Sequence, residues 1–393
     1  MKDISAIQTA LREQGIESWL FFDHHHRDPI AYRILGLDEH AHVTRRWFYL
    51  IPAQGEPRKL VHRIEAGRLD SLPGEKAAYS SWAELTAGLE TLLRGTRQMA
   101  MQYSPNNVIM YVSLVDGGMI ELLRSLGKEI VSSANLIAQF EAVLTPEQME
   151  SHYSAQRKID AILAEGFAEI GRRVRAGSPD ANEYAMVQWL SDAMTRDGLI
   201  WENGPNVSVN GNAADSHYEP TEESSKPIQR GDFVLIDIWG RENAPISCYY
   251  DITWVGVVDR EPTAREQEVF YAVRDGRDTA IACVKDAFAK KQPLPGWQAD
   301  DAARAVLRQR GLADAFTHRT GHNIAHDIHG NGANLDNLET HDERLILPHT
   351  CFSVEPGAYL AEEGFGVRSE VNMMTWPDRA EVTGRVQTEL VRI

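Results

Sequence analysis

HRTGHNIAHDIHG, residues 318–330, gathers four histidines and an aspartate in thirteen positions, with two glycines and few bulky apolar residues among them. His318, His322, His326 and His329 step by four, four and three, so a helix would put them on one face, while Gly321 and Gly330 suit a loop equally well. A neutral imidazole is a common metal ligand and a good proton carrier near pH 7, so its role depends on its partners. Reading outward, every neighbouring strand-like run carries an acid. FVLIDIWG holds Asp237 and YYDITWVGVV holds Asp251 upstream; CFSVEPGAY holds Glu355 and GFGVRSEVNMM holds Arg368 and Glu370 downstream.

A carboxylate on a buried strand is costly unless something positive meets it, and Lys and Arg are scarce in these four segments. A bound cation meets that need. Four carboxylates with one imidazole form a hard, oxygen-dominated set that suits Mn, Mg, Fe, Co or Zn rather than a thiolate metal. Their summed charge of about −4 exceeds what one divalent ion balances, which points to two ions bridged by carboxylates and a hydroxide, roughly 3.5–4 Å apart.

These residues resemble the pita-bread metallopeptidases, the group that includes methionine aminopeptidase, aminopeptidase P, prolidase and creatinase. The resemblance is strong over residues 147–393 and weak before them. It implies that Asp237, Asp251, His322, Glu355 and Glu370 are the metal ligands, in the family's order along the chain. It implies that His217, in VNGNAADSHY, and His329 face the substrate as catalytic histidines with Glu355. His318, Tyr359 and Arg368 fall on further pocket positions, read as substrate-binding. The sequence departs from the family pattern in three places. The Asp237-to-Asp251 spacing is slightly long, Asn323 and Ala325 replace glycines, and Trp254 stands where an arginine often follows the second aspartate.

The rest of the chain sets the frame. With 393 residues, 43% hydrophobic and 25% charged, it has the length of two domains and an ordinary soluble composition. No apolar signal region opens it and no run approaches the ~18 apolar residues of a membrane span, so a cytoplasmic protein is expected. Lys and Arg number 40 against 57 Asp and Glu; the net charge of −17 argues against nucleic acid or an anionic membrane as partner. Cys248, Cys283 and Cys351 are too few and too scattered for a disulfide framework and read as reduced packing residues.

Residues 1–143 alternate helical and strand patterns and read as a smaller α/β domain. SWLFF is a strand, DHHHRDP a polar loop, and the pattern predicts helices near 3–14, 82–94 and 114–126. The run His24–His26 is no metal site, because three consecutive side chains do not converge on one ion. LTPEQME predicts a helix start, with Thr145 as N-cap, Pro146 at the first helical position and Gln148 closing a capping box, so the second domain is set at 144–393. There, two helices and then strands occur twice, with helices near 147–175, 181–197, 262–290 and 298–310. The expected class is α+β, with a pita-bread catalytic domain. A hairpin from FVLID to YYDIT is expected to set Asp237 across from Asp251, and alternation in GVRSEVNMM to put Arg368, Glu370 and Asn372 on one face.

The chemistry that follows is hydrolysis. Two divalent ions, with Mn foremost and Zn, Co or Fe as alternatives, supply an activated water, so no Ser or Cys nucleophile is needed. The family resemblance implies Xaa-Pro bonds, in short peptides with proline second or in dipeptides, and a homodimer in which DHHHRDP reaches toward the partner's site. The alternative is a hydrolase or lyase of the same fold acting on a small metabolite.

Overall fold

The computed structural model describes residues 3–393, which fall into two compact units that meet in sequence between Glu141 and Ala142. The first is built on a six-stranded sheet. In spatial order its strands are Glu75–Tyr79, Arg58–His62, Trp47–Pro52, Ser18–Asp23, Gln98–Met101 and Glu129–Ser132. Ser18–Asp23 is a central strand, antiparallel to Trp47–Pro52 and parallel to Gln98–Met101. Trp19 and Phe21 enter one core and Leu20 and Phe22 another. A strand covered on both faces has no need of a polar face, which is why SWLFF reads as an unbroken apolar run.

The polar loop after it is folded around its acids. Asp23 accepts the N–H groups of His26, Arg27 and Asp28 at 3.1, 2.7 and 3.2 Å and the Tyr32 hydroxyl at 2.7 Å. Asp28 caps helix Pro29–Leu35 through the Ala31 N–H at 2.9 Å. Both carboxylates are buried, while His25, His26 and Arg27 are exposed.

In the second unit helices Pro146–Arg175 and Glu183–Arg196 precede one set of strands, and Ala264–Ala289 and Gly296–Gln309 precede another. Thr145 and Gln148 close the expected capping box, and Thr263 with Glu266 closes a second. Each box satisfies two orphan N–H groups, an arrangement whose loss costs about 1 kcal/mol. Ile159, Ile162, Leu163, Phe167 and Ile170 form the buried stripe of the first long helix against Ile236, Ile238 and Ile252. Ala280 and Val284 of the third pack on Val354, Val371 and Met373. Each such aliphatic side chain contributes roughly 1.5–3 kcal/mol when fully buried. This pairing of helices over two sets of mostly antiparallel strands is the pita-bread architecture, and the class is α+β as expected.

The first sheet is centred on Phe233–Glu242, which pairs antiparallel with Tyr250–Val257, Asn206–Val209 and Leu199–Ile200; Val391–Arg392 adds parallel to Tyr250–Val257. Because Ile236 and Ile238 face the long helix, period-2 alternation turns Asp237 to the opposite face. Asn323–Ile324, Cys351–Val354, Val371–Trp376 and Arg379–Thr383 form the second sheet, and Gly357–Leu360 with Phe365–Arg368 a hairpin. GVRSEVNMM is therefore interrupted: Ser369 and Glu370 lie between two strands, with the Glu370 N–H donating to the Thr253 carbonyl at 3.2 Å.

Two local expectations are settled differently or more sharply. The histidine stretch is a loop with one short strand, not a helix. Gly321 explains why: a Cβ there would lie 1.9 Å from the Ser353 carbonyl oxygen, so the loop's approach to that strand requires glycine. The two aspartates do not face each other. Asp237 is registered with Thr253 and Asp251 with Trp239, so they share a face on a diagonal. The three cysteines are free, yet Cys248 and Cys351, a hundred residues apart, meet in one apolar cluster.

Candidate metal centre

The second half of the hairpin, Tyr250–Val257, delivers Asp251, and the loop held by Gly321 delivers His322, whose N–H donates to Ser353 Oγ at 2.9 Å. Glu370 enters from the strand break after Arg368. Ligating atoms of Asp251, His322 and Glu370 all lie within 4.8 Å of one another, and the three side chains are buried. Glu355 joins them, its Oε1 3.2 Å from His322 Nε2, while Asp251 Oδ2 lies 3.6 Å from the same nitrogen. Asp237 stands apart from this trio. Its carboxylate receives Arg368 Nη2, and Thr253 Oγ1 lies 2.9 Å from its Oδ1.

The electrostatics of the cluster follow from its burial and its like charges. Burial first, then the charges of Asp237 and Glu355, hold the Asp251 carboxyl well above the ordinary range. Burial first, then Asp251 and Glu355, do the same to Glu370. Asp251 Oδ1 and Glu370 Oε1, on residues only 6% and 1% exposed, have no hydrogen-bond partner among the described residues. Burial pushes the His322 imidazole pKa down, so the ring is neutral and has a lone pair to give. Carboxylate oxygens and an imidazole nitrogen crowded together, with buried oxygens unpartnered, fit a divalent cation of the hard or borderline kind. A cluster of this composition without a cation must keep protons it would otherwise release.

The pocket histidines are placed around it. His329 meets His322 edge to face, with ring centroids 4.3 Å apart. Its pKa is pushed down, first by its crowding against His322 and then by desolvation, with Arg319 and His217 adding to it. His217 is exposed, on the loop after Asn206–Val209. His318 Nε2 lies 2.7 Å from the Tyr359 hydroxyl, which also accepts Arg368 Nη1 at 3.0 Å. Burial drives the His318 pKa to about 3. Arg368 thus links Tyr359, Asp237 and Thr253, the last through Nε at 3.1 Å. His326 is exposed and turned away, with Nδ1 3.2 Å from the Ser247 carbonyl.

Two members of the centre escaped the sequence reading. Thr253 Oγ1 lies 2.7 Å from Glu370 Oε2 as well as beside Asp237; its one proton serves one carboxylate, so the other contact needs a protonated carboxyl. Ser353 Oγ donates to Glu355 Oε1 at 2.9 Å. Thr253 follows Asp251 by two and Ser353 precedes Glu355 by two, so strand alternation was the available signal. Arg368 also revises the charge count: four carboxylates and one guanidinium sum to about −3, not −4.

The chain has relatives among known proteins. A Mycoplasma pneumoniae protein is 28% identical over 222 residues, 55% of this chain and 58% of that protein. The Xaa-Pro dipeptidase of Pyrococcus furiosus is 25% identical over 266 residues, 67% of this chain and 69% of that protein. The chain therefore spans between about half and two thirds of the length of these curated relatives. The solved structure of dipeptidase PepE from Mycobacterium ulcerans matches with a TM-score of 0.70 at 20% identity, over 99% of this chain and 96% of that one, so the fold is shared. The family model of the M24 metallopeptidases matches residues 154–375, which hold every residue of the centre described above. With more than half of its length matched, the chain belongs to metallopeptidase family M24.

Proposed function

We propose that this protein is a dinuclear metal-dependent peptidase that hydrolyses Xaa-Pro bonds at peptide N termini or in dipeptides. The observation that carries the reading is the buried meeting of Asp251, His322 and Glu370 with carboxylate oxygens left unpartnered. Asp237 and Glu355 complete a set of eight oxygens and one nitrogen, more donors than one six-coordinate ion takes, which supports two ions. The oxygen excess favours Mn. When bound, such ions polarise a carbonyl and make water a nucleophile near neutral pH.

The chain's own groups supply the rest. His329 and His217 donate hydrogen bonds to the carbonyl oxygen as it gains charge, worth about 3 kcal/mol for one donor. Glu355, exposed enough to meet solvent, takes the proton from the attacking water and returns it to the leaving nitrogen. His318, Tyr359 and Arg368 form a linked polar wall that orients the peptide. The relatives include an Xaa-Pro dipeptidase, which is the support for proline.

No described helix is long and apolar enough to cross a membrane. The reading is of a cytoplasmic enzyme, a homodimer, acting on short peptides with proline second. The test is hydrolysis of an Xaa-Pro dipeptide, an Xaa-Pro-Yaa tripeptide and an N-acetylated control with Mn added. Cleavage of the dipeptide alone means a dipeptidase and of the tripeptide an aminopeptidase. Cleavage of none removes the Xaa-Pro assignment and leaves a small-metabolite hydrolase or lyase.

A further inference from the structure

We propose that Glu183 is a positioning residue for His217, pinning the 206–226 segment that carries its exposed imidazole. Glu183 is the first residue of helix Glu183–Arg196 and is 0% exposed. Its Oε1 accepts the Val209 N–H at 2.8 Å and Asn212 Nδ2 at 3.0 Å; its Oε2 accepts the Tyr218 hydroxyl at 2.7 Å and the Lys226 N–H at 2.8 Å. These donors come from the start, middle and end of the segment, so one carboxylate gathers the whole of it. The Lys226 ammonium goes elsewhere, to Asn212 Oδ1 at 2.7 Å.

A fully buried carboxylate held by neutral donors is a costly way to close a surface loop, since apolar packing would serve stability as well. It does fix geometry. His217 lies between Asn212 and Tyr218, its N–H donating to Asp215 Oδ1 at 3.0 Å, and no hydrogen bond among the described residues holds its ring. The ring therefore stays where its backbone is held. The Tyr218 hydroxyl, pushed up to about 12 by burial and by Glu183, remains a donor throughout the working pH range.

The kinetic arm of the test rests on the peptidase reading; the spectroscopic arm does not. Glu183→Gln should lower kcat on an Xaa-Pro substrate about 10- to 100-fold, as misplacement of one group does, with metal content and KM little changed. Placed in a His217→Ala background it should cost nothing further. Tyr218→Phe, which removes a single donor and threatens the fold less, should act in the same direction and also lose its effect in that background. Losses that multiply instead would overturn the proposal. In the metal-free protein, the His217 ring resonance, assigned by its loss in His217→Ala, should shift or broaden in both variants. A sharp, unmoved line would overturn it even if no Xaa-Pro peptide is a substrate, whereas a moved line with inactive wild type would fault only the peptidase reading.

Discussion

Thr253, not Asp251, stands across the sheet from Asp237, and its hydroxyl lies within hydrogen-bond distance of both Asp237 and Glu370. A hydroxyl shared by two acids, Asp237 on a strand and Glu370 in a strand break, aims both. Thr253→Val keeps the shape and removes the hydroxyl. It should weaken Mn binding about 10- to 100-fold, the usual cost of losing a partner behind a ligand. Calorimetric titration of the metal-free variant reads this directly, and an unchanged affinity would mean the threonine only fills space.

In the metal-free protein, Asp251 and Glu370 should make a contribution to stability that falls as pH rises. Asp251 and Glu370 have folded-state pKa values raised above the unfolded values of about 3.9 and 4.3, so protonation favours the fold. Their contribution is complete below those unfolded values and is lost as pH climbs through the folded ones. Asp28, pushed up to about 7 by burial, acts in the same direction. Over pH 5 to 8 the Tm of the metal-free chain should fall relative to that of Asp251→Asn/Glu370→Gln; the depressed imidazoles of His318, His322 and His329, which favour the fold as pH rises, are present in both chains and drop out of that difference. Added Mn should raise Tm most at high pH, because its binding expels the same protons.

The three central histidines should separate by phenotype. His322→Ala should lose metal, because its neutral Nε2 faces Asp251 and Glu355. His329→Ala should keep metal and lose about a hundredfold in kcat, the cost of one oxyanion donor. His326→Ala should behave as wild type, since that ring is exposed and directed at Ser247. Elemental analysis beside initial rates distinguishes all three, and metal loss in His326→Ala would shift the ligand assignment along the loop.

Much of this centre was legible because chemistry-bearing residues sit in strongly patterned surroundings. Apolar runs around Asp237, Asp251 and Glu370 announced buried acids, and the Thr145 box marked the start of the long helix within a residue. What the pattern hid was register. Alternation assigns a face to Asp237 and Asp251 but not the partner across the hairpin, which depends on turn length; hence the pairing of Thr253 with Asp237 was missed. Whether the histidine stretch was helix or loop turned on a backbone approach at Gly321, a tertiary fact with no local signal. In DHHHRDP the two acids turn inward to bind backbone N–H groups and cap a helix, while His25, His26 and Arg27 are exposed.

The central claim is that the buried acids and His322 form a metal-dependent hydrolytic site, and the most direct measurement is Xaa-Pro dipeptide hydrolysis by chelator-stripped protein titrated with Mn. The account predicts no turnover in the stripped protein, activity that rises with occupancy and saturates near two ions per chain, and none at any occupancy in Glu370→Gln. Hydrolysis that persists undiminished in the stripped protein, or in Glu370→Gln, would contradict it.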